Sequence, residues 1–181
     1  MEEKAFSVRK IVIAGVLSAI SILLGATMLG FIPVPTPAGH ATIMHVPAII
    51  GGVMEGPIVG AIVGTIFGIF SFIQATIPAF KDPLVAILPR ILIGVTAYLT
   101  YAALKRVNEY VALVVAAVVG TLTNTIGVLG MGVLRGYWAP GVALGVGLTQ
   151  GIPEAIVAAI ITVAVVVVWK LVGTGRRQAK M

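Results

Sequence analysis

Five polar side chains, His45, Gln74, Arg90, Asn124 and Glu154, interrupt a chain whose other long stretches are almost wholly apolar. An imidazole, two amides, a guanidinium and a carboxylate are groups that hold a small polar molecule by charge and hydrogen bonding. Arg90 in particular can take a carboxylate through two parallel hydrogen bonds. Other chemistries lack their parts. With two histidines, no cysteine and Glu154 as the lone carboxylate inside a long apolar stretch, a metal centre or an acid–base enzyme is not expected. No phosphate loop ending in Lys-Ser or Lys-Thr, no His-Glu-x-x-His helix and no Gly-x-Ser-x-Gly turn occurs. The chain reads as a binding protein, not an enzyme, with neither metal nor cofactor.

The elements that carry these residues are set by composition. Over 181 residues the chain is 59% hydrophobic and 10% charged, with mean hydropathy +1.13. This describes an all-α integral membrane protein, because a soluble domain of this size needs far more polar surface. Absence of cysteine leaves the redox compartment unreadable. The net charge of +6 does not point to nucleic acid. Lys4, Arg9, Lys10, Lys105, Arg106, Lys170, Arg176, Arg177 and Lys180 flank apolar runs, the pattern that orients a protein in a membrane. The run from Ile11 to Ile32 is too long for a signal-peptide core and is read as a first span.

Requiring roughly 20 residues per crossing and a basic anchor gives a bundle of six transmembrane helices, over 11–31, 42–54, 57–76, 84–104, 110–130 and 152–171. These form a single domain, 1–181. The sixth span is started near Ile152 so that Pro153 lies in its first turn, where a missing N–H costs nothing. Residues 130–150 then form a long outer excursion. Both termini share a side with nine of the twelve basic residues and are expected in the cytoplasm, in a multi-pass prokaryotic plasma (inner) membrane.

Counting from the basic anchors places Arg90, Asn124, Glu154 and Gln74 roughly 5 to 10 Å below the outer boundary, at 1.5 Å per residue. His45 opens the second span, close to the proline-rich segment Pro33 to His40, which is read as a lid. The inner halves of the spans hold no strong polar candidate. That distribution is an outward-facing pocket, whereas a small gradient-driven transporter needs a polar path through the full thickness. Structural readings stand beside the functional ones. Arg90 and Glu154 either neutralise each other or hold ligand. Asn124 and Gln74 either join helices or contact ligand, and His40 and His45 are either packing and loop residues or mouth residues.

Two small-residue patterns complete the reading. Gly56, Gly60, Gly64 and Gly68 recur every four residues and give span 3 a smooth face for close helix packing. Span 1 offers Ala14 with Ser18, and beside them Gly15 with Ala19, as a face for a partner protein.

The run His40-Ala-Thr-Ile-Met-His-Val-Pro-Ala-Ile-Ile-Gly-Gly-Val-Met-Glu-Gly-Pro-Ile-Val-Gly-Ala-Ile-Val-Gly, supported by Asp82-Pro-Leu-Val-Ala-Ile-Leu-Pro-Arg90 and Gln150-Gly-Ile-Pro-Glu154, resembles the substrate-binding S component of an energy-coupling-factor vitamin transporter. The resemblance extends over the whole chain and is closest to pantothenate-type members. It implies capture of a water-soluble vitamin and delivery through a membrane coupling protein and two cytoplasmic ATPases, with the loaded subunit toppling in the bilayer. Pantothenate is the expected ligand, with riboflavin, a pyridoxine-type vitamin, a thiamine precursor or folate as alternatives. On this reading His40, His45, Gln74, Arg90, Asn124, Gln150 and Glu154 line the site. The family's small-x-x-x-small face carries over to Ala14 and Ser18, with Gly15 and Ala19 as a second register.

Overall fold

A computed structural model describes residues 7–33 and 40–178. Apart from a short antiparallel pairing of β1 (Phe31–Pro33) with β2 (His40–Thr42), these residues are built from helices. In chain order they are α1 (Val8–Ala26), α2 (Val46–Glu55), α3 (Pro57–Ile73), α4 (Pro83–Ala86), α5 (Leu88–Leu104), α6 (Glu109–Leu134) and α7 (Pro140–Gln178). Four stretches, Val8–Ala26, Pro83–Leu104, Glu109–Leu134 and Pro140–Val172, are long and apolar enough to cross a membrane. The two shorter apolar helices are α2 and α3.

Side-chain contacts sort the helix ends into two groups. Arg9 of α1 donates to Glu55 of α2 at 2.7 Å, and Tyr101 of α5 donates to Glu109 of α6 at 2.9 Å. Lys170 of α7 also pairs with Glu109, so these ends form one basic end of the bundle. At the opposite, loop end Thr42 meets Glu154 and Asp82 meets Arg135.

Glycine decides how the middle helices pack. Gly56 adopts φ +104°, a conformation that a side chain resists, and Pro57 starts α3 immediately after it. The result is a sharp corner between α2 and α3. A Cβ on Gly60 would lie 2.7 Å from the Gly94 Cα, one on Gly68 would lie 2.9 Å from the Ile87 Cα, and one on Gly64 would fall on the Arg90 carbonyl oxygen. Of the four glycines expected on one packing face, Gly60 and Gly64 bring the α3 backbone directly against α5, and Gly68 brings it against the α4–α5 junction. Gly56 departs from that expectation: nothing lies near its Cβ position, and its role is the corner.

α2 is only ten residues long, but Val46 through Val53 are all buried. A helix sheathed by its neighbours has no need to match the lipid thickness by itself. α1 is the contrast, a peripheral helix with Ile11, Val12, Val16 and Leu23 exposed.

The helices depart from the expected spans at several ends, with Phe31 in β1 and Thr42 in β2 instead of in spans 1 and 2, and most of all in α7. Residues 140–150, expected in an outer excursion, are helical, and Pro153 lies inside a continuous helix instead of in its first turn. Helix packing accounts for the difference. Gly147 and Gly151, one turn apart, face Leu129 and Thr125 of α6, also one turn apart, so the glycine-rich segment is a contact surface. α6, the fifth expected span, likewise continues to Leu134.

Candidate functional site

The site is organised by a break between α4 and α5. Pro89 has no N–H to give to the Val85 carbonyl, and the Arg90 N–H turns to Ile87 at 3.0 Å, so the carbonyls of Val85 and Ala86 lack their usual helical partners. The Arg90 side chain folds back onto both. Its Nη1 donates to Ala86 O at 2.6 Å and to Val85 O at 3.0 Å. Phe67 and Phe80 flank the guanidinium, with ring centroids 5.2 and 5.0 Å from Cζ. Arg90 is 4% exposed, and its Nε has no partner.

His45, fully buried at the start of α2, reaches across to α6, where its Nε2 lies 2.9 Å from Thr121 Oγ1. Thr121 Oγ1 in turn donates to the Ala117 carbonyl at 2.9 Å, so in the His45 contact it is the acceptor and Nε2 the donor. That leaves Nδ1 as an acceptor, and it has no partner. One turn along α6, Asn124 is buried and its Oδ1 is also unpartnered. Gly127, the next turn, packs against Pro89, which sets Asn124 beside the start of α5. Three buried polar atoms from three helices thus lack partners at the loop end of the bundle, in a fold that normally satisfies such groups.

Glu154 sits on the other side of α6. Its Oε1 accepts the Thr42 backbone N–H at 2.8 Å, and its Oε2 lies 3.4 Å from Thr125 Oγ1. Glu154 therefore fastens β2 to α7. The Arg90–Glu154 ion pair that the sequence allowed is not formed: backbone carbonyls and aromatic rings hold one, and a backbone N–H and a threonine hold the other.

Not every expected residue converges here. Gln74 caps the C-terminus of α3 and is exposed, away from the buried set. Gln150 is partly exposed, one turn before Glu154. The side chain of His40 and residues 34–39 of the expected lid lie outside the described residues. Sequence reasoning missed Thr42, Thr121, Thr125 and Phe67. Thr121 was a legible signal, since it lies three residues before Asn124 and so on the same face of α6, whereas Thr125 turns toward Glu154.

A second cluster closes over Arg90. Asp82 caps α4 by accepting from the Leu84 N–H at 3.0 Å, and it takes a hydrogen bond from Arg135 Nε at 2.6 Å and one from the Tyr137 hydroxyl at 3.4 Å. The Arg135 hydrogen bond holds the Asp82 carboxyl below the ordinary carboxylate range, and the same contact raises Arg135. Trp138 packs edge-on against Phe80, at 6.2 Å and 72°, and its ring fills the space beside Gly132. Aromatic groups near the site are committed to protein contacts.

On α1, Ala14 and Ser18 are buried in the bundle, at 5% and 4% exposure. In this arrangement they face inward, against the neighbouring helices. Gly15 and Ala19 are exposed, with nothing within 4 Å of the Gly15 Cβ position.

Comparison with curated proteins finds no match. The family model described as "ECF transporter, substrate-specific component" matches residues 9–166, which takes in every helix from α1 to most of α7. The chain is a membrane protein of that family, a substrate-specific component of an energy-coupling-factor transporter.

Proposed function

We propose that this chain captures a small, non-aromatic, carboxylate-bearing vitamin at the loop end of its bundle, with pantothenate as the best candidate. It passes the ligand to a membrane coupling protein driven by two cytoplasmic ATPases. The carrying observation is that three of the five unpartnered buried side-chain atoms among the described residues, Arg90 Nε, His45 Nδ1 and Asn124 Oδ1, lie at this end, the others being Ser18 Oγ and Thr162 Oγ1. A donor on a cation beside two acceptors suits a ligand with a carboxylate and hydroxyl or amide groups. Gln150 adds to the mouth, and Glu154 holds the β2 side of it. Phe67, Phe80 and Trp138 are engaged with Arg90 and with each other, which disfavours stacking of a flavin or pterin.

In this reading α1, α2, α3, α4 with α5, α6 and α7 make six crossings, and the basic end faces the cytoplasm. Gly15 and Ala19 form the small-residue face toward the coupling protein. Native mass spectrometry of the purified protein tests the ligand: a co-purified or added pantothenate should appear as a one-to-one adduct. Retention of a flavin or pterin instead of pantothenate would overturn the ligand assignment. Vitamin uptake by liposomes containing this chain alone, driven by a proton or sodium gradient, would overturn the mechanism.

A further inference from the structure

A cavity of about 290 Å³ opens at the basic end, between the start of α1, the α2–α3 corner and the end of α5. Lys10, Glu55, Ile58, Tyr98, Tyr101 and Lys105 contribute to its lining. It lies at the opposite end of the bundle from Arg90 and Asn124. Its charges do not cancel. Glu55 is taken by Arg9 at 2.7 Å, and Lys170, nearby on Tyr101, pairs with Glu109. Among the described residues neither Lys10 nor Lys105 has a carboxylate partner, and Lys105 Nζ sits 5.7 Å above the Tyr101 ring. Two positive charges therefore converge on one cavity whose carboxylate, Glu55, is already paired with Arg9. Ile58, also part of the lining, is 49% exposed, so the cavity has an apolar margin.

We propose that this cavity binds the phosphate of an anionic phospholipid headgroup, with Lys10 and Lys105 on the phosphate, Tyr98 and Tyr101 at the headgroup level and Ile58 beside the acyl chain. Basic pockets between membrane helices have this chemistry, and aromatic rings of this kind favour the polar–apolar boundary. A free phosphate ion shares the charge recognition but makes no use of the Ile58 side.

The test uses the full chain, delipidated in neutral detergent, with phosphatidylglycerol or phosphatidylcholine added at equal concentration and bound lipid counted by native mass spectrometry. The first phosphatidylglycerol should be retained preferentially, and the preference should fall roughly fivefold for each lysine removed in Lys10→Gln and Lys105→Gln. Arg106→Gln, a neighbouring charge outside the cavity lining, should leave it unchanged, and melting temperatures confirm that the variants fold. If free ions are the natural occupant, inorganic phosphate stabilises the wild type against melting without any lipid preference, and the double variant loses that response. Equal retention of both lipids with no response to phosphate overturns the site. So does a preference that survives in the double variant.

Discussion

Arg90 has two tasks that compete for its five N–H donors. Nη1 is spent on the Val85 and Ala86 carbonyls exposed by Pro89, while Nε remains open. Arg90→Ala should lower vitamin affinity by about 2 to 5 kcal/mol, the range for truncating one member of a buried charge pair. Titration calorimetry in detergent reads this directly, and unchanged affinity would reduce Arg90 to a cap on the helix break. A second outcome separates Arg90 from Glu154. Because the two share no partner, the melting free energies of Arg90→Ala and Glu154→Ala should add in the double variant to within about 0.5 kcal/mol. A larger coupling would restore the ion pair that the structure lacks. Pro89 and Arg90 were both visible in the sequence, yet their relation was not: which carbonyls lose their partners depends on where the helix breaks. The ion pair that the sequence left open came from counting charges, and backbone carbonyls, absent from any such count, are the acceptors that Arg90 uses.

At the scale of elements, the glycine face of α3 determines where the Arg90 backbone lies. Gly64→Ala would drive a methyl group into the Arg90 carbonyl oxygen, and melting should fall by about 1 to 3 kcal/mol, the usual effect of overpacking. Gly130→Ala makes the comparison, since nothing lies within 4 Å of its Cβ position. There helix propensity alone acts, so the variant should melt no lower than wild type. The Asp82–Arg135 contact ties the α3–α4 loop to the end of α6, and its pH dependence follows from the sign of the shift. A carboxyl with a lowered folded value contributes stability in full above its unfolded value of about 4 and loses it as pH falls through the lowered one. The difference in melting temperature between wild type and Asp82→Asn should therefore persist at neutral pH and shrink well below pH 4. Element type and the four-residue glycine spacing were legible because both repeat along one helix. The helical state of residues 140–150 was not, because Gly147 and Gly151 gain their meaning only from Thr125 and Leu129 on another helix.

For the whole molecule, the division between a basic end and a polar loop end is the organising fact, and it was readable from the placement of lysine and arginine alone. The count of crossings is open to direct test because the chain has no cysteine. Single cysteines at Ala139 and Val107, between helices at opposite ends, should react with a membrane-impermeant thiol reagent from opposite sides of sealed vesicles. Labelling of both from the same side would overturn the six-crossing arrangement.

The length of α7 bears on the bilayer itself. Its apolar portion, Pro140–Val172, has 33 residues, or about 50 Å of helix, against a hydrocarbon layer of roughly 30 Å. In the same bundle α2 and α3 have only 10 and 17 residues. The buried α2 does not set the lipid depth, but a layer that suits the 17 residues of α3 is far shallower than α7 is long. A membrane around this protein must therefore be unevenly deep, or α7 must lean, and a change in acyl-chain length acts as a force on that lean.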